Sequence, residues 1–160
     1  MTTTPTTPQR STILQTVWGN FYDRIKDNVS SVSITGSVTV NIQTYTNFFP
    51  EKQIDEKGDY PILVVNSPDM DWERLTFRKK TANGTITIDI YTTQTESADK
   101  FLDAIIDSIE TYRDDLKENA NLFDVNVEST SSDNATRGAF SVHLRSVTFG
   151  FKFQFTETKI

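Results

Sequence analysis

A chain of 160 residues with a net charge of −6 and a sequence pI near 4.7 suits one domain with a substantial core, and it speaks against a general nucleic-acid binder, which needs a basic face. The lack of cysteine excludes disulfides, thiolate metal sites and cysteine nucleophiles, and leaves the redox compartment open. Hydrophobic residues make up only 36% of the chain, no apolar run approaches membrane-spanning length, and no signal peptide precedes the fold, so a soluble protein is expected.

Residues 1–7, rich in threonine and proline, read as a flexible N-terminal arm. A helix is expected over 8–29, with Thr7 as its cap and Pro8 in the first turn, where a missing N–H costs nothing. Its apolar stripe is Ile13, Leu14, Val17, Trp18, Phe21, Tyr22, Ile25 and Val29. Core packing accounts for that stripe, with Trp18 or Tyr22 reaching a partner surface as the alternative. Val32, Ile34, Val38, Val40 and Ile42 share one two-residue phase, which Gly36 also occupies. This predicts a long strand with a bend, or a strand pair. Residues 43–59 lack sustained periodicity and read as a long loop, in which Phe48 and Phe49 either tuck under the sheet or meet another chain. Ile62, Leu63, Val64 and Val65 are apolar on both sides, as in an interior strand, and Asn66-Ser67-Pro68-Asp69 ends it.

Residues 74–93 predict a β-hairpin turning at Asn83-Gly84, the dipeptide suited to a type I′ turn because both central positions need φ > 0. In that register Phe77 faces Ile90 and Lys79 faces Ile88. Leu75, Phe77, Ile86, Ile88 and Ile90 share a face, and Arg78 pairs across the strands with Asp89. A helix follows over 97–116, with Ser97 as N-cap and an apolar stripe of Phe101, Leu102, Ile105, Ile106, Ile109, Tyr112 and Leu116. Asp114 and Asp115 oppose the dipole at its C-terminus, so the last turn should fray. Phe123, Val125 and Val127 mark a strand with one wet face, and residues 129–138 read as a polar loop. In the final strand Phe140, Val142 and Leu144 hold the even phase, while Val147, Phe149, Phe151, Phe153 and Phe155 hold the odd one. Either a one-residue bulge at Arg145-Ser146 reunites them, or the two halves bury opposite faces. The sum is a single α+β domain over 1–160, a two-layer sandwich. Its mainly antiparallel β-sheet has a long hairpin and is packed on one face by two α-helices.

Little in the chain suggests chemistry. His143 is the only histidine and lies beside Arg145 in a strand, so neither a transition-metal site nor a Ser-His-Asp arrangement can be assembled around it. Asp69, Asp71 and Glu73 are the one cluster suited to Ca²⁺ or Mg²⁺, but Trp72 stands where a calcium loop needs a small polar residue. A metal-dependent nuclease would also need a downstream acidic-x-lysine pair, which Glu73-Arg74-Leu75 does not supply. The glycines make no phosphate-cradling spacing. Arg78, Lys79 and Lys80 form a short basic run, either a charged edge that discourages aggregation or a docking patch for an acidic neighbour. No catalytic, cofactor-binding or metal site is expected. The residues expected at protein contacts are Phe48, Phe49, Asp69, Asp71, Trp72, Arg78, Lys79, Lys80 and Arg145.

The order of parts is a first helix with an irregular segment after it, the buried strand opened by Tyr60-Pro61, a hairpin, a helix and two closing strands. With the amphipathic strand Thr85 to Tyr91 and the helix that follows Ser97, it resembles the tail terminator or tail-completion proteins of long-tailed bacteriophages. That resemblance covers most of residues 8–155 and implies a structural function. Such proteins form a ring, expected to be a hexamer, that caps the tail tube and joins the tail to the head connector. It further implies the tail tube protein and the head–tail connector protein as partners, DNA passing through the lumen without specific binding, no membrane, and a place in the virion after assembly in the host cytoplasm. Another neck, tube or baseplate component, a metal-dependent hydrolase using the Asp69 cluster, or a monomeric binding module are the alternatives.

Overall fold

The computed structural model describes residues 13–29, 31–34, 38–41, 43–46, 61–74, 79–137 and 140–156. Residue 27 and residues 31–34, 38–41, 43–46, 72–74, 79–80, 135–137, 140 and 155–156 are described by their backbone alone. The expected arm, the first helical turn from Pro8, Gly36, Phe48, Phe49, Leu75, Phe77 and Arg78 lie outside the described residues.

Helix α1 spans Ile13–Asn28. The row spaced every four residues, Ile13, Val17, Phe21, Ile25 and Val29, is wholly buried, as one stripe of an amphipathic helix must be. The parallel row Leu14, Trp18 and Tyr22 lies at the margin, where Leu14 is 49% exposed. Trp18 stacks on Tyr22 with ring centroids 4.6 Å apart, and its Nε1–H donates to the Val65 carbonyl at 2.9 Å, which seats it against the sheet.

Strands β1 (Ser31–Ile34) and β2 (Val38–Asn41) pair antiparallel as a sheet of their own, so the strand-pair reading of this segment holds. The predicted loop that follows instead begins with strand β3 (Gln43–Thr46), which runs parallel to β4 (Ile62–Val65). All four residues of β4 are buried, as its apolar run requires. Next come β5 (Asp69–Arg74) and β6 (Lys79–Thr92). Helices α2 (Thr95–Thr111) and α3 (Arg113–Ala120) follow, then β7 (Leu122–Arg137) and β8 (Phe140–Thr156). The main sheet has the order β3-β4-β6-β8-β7, with β5 joining β6 on the side that β4 occupies further along. Every pairing except β3–β4 is antiparallel. A mainly antiparallel sheet packed by helices on one face is therefore the architecture, with α3 as a third, short helix.

The hairpin differs from its predicted register. Asn83 and Gly84 lie in the middle of β6 and do not turn. β5 and β6 form the hairpin, with Asp69 opposite Thr85 and Arg74 opposite Lys80, so the connection falls within 75–78. Gly84 serves close packing here and not a left-handed turn. A Cβ at this position would come within 2.7 Å of the Phe151 ring and 2.8 Å of the Asp69 carbonyl oxygen. Lys79 consequently faces Thr156, and Ile88 faces Val65 and Val147. Arg78, the partner expected for Asp89, lies outside the described residues. Asp89 accepts hydrogen bonds from the Asn66 amide at 2.7 Å and from the Ser146 hydroxyl, on the sheet face away from the helices.

The second predicted helix starts two residues earlier than expected and breaks at Tyr112. Its cap is Gln94, whose side chain makes no capping bond, while the Ser97 hydroxyl donates back to the Gln94 carbonyl. Asp114 and Asp115 do not end a helix: they occupy the first turn of α3, where the positive dipole end favours them. Asn121, at φ 55°, closes α3 in the left-handed conformation that asparagine tolerates.

The predicted polar loop 129–138 is mostly strand, since β7 pairs with β8 out to Arg137 opposite Phe140. β8 carries no bulge at Arg145-Ser146, because its register with both neighbours runs through that point unbroken. Its halves do bury opposite faces: Val147, Phe149, Phe151 and Phe153 point to the helices, and Val142 is buried on the other side. The bulges lie in β7, between Phe123 and Asn126 and between Val127 and Ser129, with Asp124 at φ 51° inside the first. Phe21 of α1 sits over the aromatic row, its ring centroid 5.5 Å from Phe151 and 6.3 Å from Phe149.

Candidate interaction surface

On the face away from the helices the sheet carries polar groups between β6 and β8. The Thr87 and Thr148 hydroxyls share a hydrogen bond at 3.0 Å, next to the Asp89–Ser146 pair. Where β5, β6, β8 and β7 meet, this face opens into a groove of about 770 Å³. Gly84 and Gly150, on adjacent strands, contribute backbone to its floor. Asp69 and Asp71 come from β5, Asp124 and Glu128 from the bulged part of β7, and Lys152 from β8. Alternation along β5 puts Asp69 and Asp71 on one side of the strand, and the β7 bulges bring two further carboxylates to the same depression. The Glu128 side chain lies across Gly150, where any Cβ would collide with its carboxylate. Lys152 Nζ stands 3.6 Å from an Asp124 oxygen, with both side chains well exposed, so this pair adds little stability.

The structure thus brings Asp69 and Asp71 together and adds Asp124 and Glu128, which sequence reasoning missed. The signal was present as Asp124 and Glu128 in a strand, but nothing in their spacing shows that bulges turn both to one side. Trp72 lies in β5 opposite Ala82, and Lys79 and Lys80 open β6 at the far end of the β5–β6 pair. Arg145 is elsewhere, on the helix-covered face. Its Nε stands 3.0 Å from an Asp99 oxygen of α2 in an ionic contact whose N–H is not aimed for a hydrogen bond. His143 Nδ1 is 2.7 Å from the Asn134 side-chain oxygen across the β7–β8 hairpin. Among the described residues no three His, Asp or Glu side chains converge as metal ligands, and no helix is long and apolar enough to cross a membrane.

The chain matches no protein-family model, and no curated protein matches its sequence.

Proposed function

We propose that this protein is a structural subunit of a long-tailed bacteriophage virion, assembling as a ring that terminates the tail tube and joins the tail to the head connector. The observation that carries this reading is the β7–β8 hairpin: strands of 16 and 17 residues, of which Asn126–Asn134 is exposed throughout along the sheet edge. A subunit that needs no neighbour has little use for such a strand, whose outward N–H and C=O groups are a template for pairing. The order of elements supports the same reading, since it follows the layout that resembles tail terminators. A ring of one kind of subunit requires two different complementary surfaces per copy, and the exposed hairpin beyond Glu128 and the acidic groove beside it offer two. A net charge of −6 suits a lumen through which DNA slides, because attractive phosphate contacts would hold it.

Light scattering coupled to size exclusion, with electron microscopy of the pure protein, tests the proposal. A closed ring, expected to be a hexamer, is the predicted result. Extended tubes would point to a tube component, and a monomer at every concentration would overturn the assembly reading.

A further inference from the structure

The groove on the open sheet face is acidic beyond what its own cation balances. Lys152 pairs with Asp124, which leaves Asp69, Asp71 and Glu128 without a cation partner among the described residues. No described element covers this part of the sheet. The complement stands in the same chain: register sets Arg74 opposite Lys80 and starts β6 at Lys79, so three cations gather at one end of the β5–β6 pair, preceded in sequence by Arg78. Lys79 is four residues from Asn83, which lines the groove, or about 14 Å along the strand. That is too far for a copy's own basic end to fill its own groove.

Resting on the ring-forming reading above, we propose that the occupant of this groove is the basic end of the β5–β6 hairpin of a second copy of this chain. Glycine at 150 keeps the floor low, so a lysine or arginine can approach the backbone while Asp71 and Glu128 close on it from either side. The contact is heterologous, groove to basic end, so each copy offers one of each and successive copies continue in one rotational sense until the ring closes.

Charge exchange tests this. Sedimentation velocity of the wild type should show assembly at low salt and an apparent association constant that falls by about tenfold or more from 50 to 500 mM NaCl, as contacts between exposed charges are screened. Asp71→Lys with Glu128→Lys reverses the groove, and Lys79→Glu with Lys80→Glu reverses the basic end. Each double variant, with its fold checked by circular dichroism melting, should be monomeric alone, and an equimolar mixture of the two should assemble again. If folded variants assemble separately as the wild type does, or their mixture stays monomeric, this contact is overturned while the ring stands. If the wild type itself never assembles, the ring reading falls and this inference with it.

Discussion

Two glycines show how much a single Cβ can decide. At Gly84 an added methyl would meet the Phe151 ring and the Asp69 carbonyl, and the carbonyl is backbone that cannot step aside. Gly84→Ala should therefore destabilise by about 1–3 kcal/mol, the usual cost of overpacking. At Gly150 the obstacle is the end of Glu128, which can swing away, and alanine narrows the unfolded ensemble by about 0.4–1 kcal/mol. Gly150→Ala should be near neutral, and urea unfolding of the two variants side by side measures the difference. Arg24 offers a second test. It is largely buried and donates from Nε and a terminal nitrogen to one Asp115 oxygen at 3.0 and 2.7 Å, joining α1 to α3. A hydrogen bond from Asn119, with burial opposing and Arg24 assisting, holds the Asp115 carboxyl below its ordinary value of 3.8. A carboxyl depressed by folding stabilises above its unfolded value, and that stabilisation drains away as pH falls through the lower folded value. Asp115→Asn should be less stable than wild type at pH 7, with the gap in urea midpoint shrinking below about pH 4.

Among the elements, α1 bears on the sheet through Phe21, which is fully buried against the Phe149 and Phe151 rings. Phe21→Ala should cost about 3–5 kcal/mol in chemical denaturation, the range for emptying a buried aromatic site. Hydrogen exchange should separate the strands equally clearly. Amides of Ile86, Ile88, Val147 and Phe149 should open only with global unfolding, whereas the outward amides of Ser129–Asn134 on the sheet edge should exchange nearly as fast as free chain. These contrasts also explain what was legible beforehand. α1, α2 and β4 announce themselves because each buries a periodic or continuous apolar set. β7 beyond Val127 buries almost nothing, so its STSSDN run carries no phase to distinguish a strand from a loop. The bulges were hidden for another reason: they lie among Phe123, Val125 and Val127, whose alternation reads as an unbroken strand. Asn83-Gly84 misled for the opposite reason: a strong local turn preference is overruled by fourteen paired positions with β8. The groove was half legible, through Asp69 and Asp71, because its other wall depends on bulges that leave no trace in composition.

For the molecule as a whole, metal binding separates the hydrolase alternative, which rests on the Asp69, Asp71 and Glu73 cluster, from a surface that binds protein. Calorimetric titration with Mg²⁺, Ca²⁺ and Mn²⁺ should give no binding heat at millimolar ion, and saturable heat lost in Asp69→Asn would favour the hydrolase alternative. The placement of β6 has a kinetic consequence as well. It is the shared partner of β4, β5 and β8, yet its nearest pairing with β8, Thr92 to His143, closes a loop of roughly fifty residues that holds both later helices. The β7–β8 ribbon can zip locally, but β8 must then travel to β6 before the aromatic row finds its cover. Refolding is thus expected on the millisecond-to-second scale of non-local sheets. Until that docking is complete, two long unsealed margins wait in the same solution, so crowded refolding should yield exchanged strands where dilute refolding yields sound subunits.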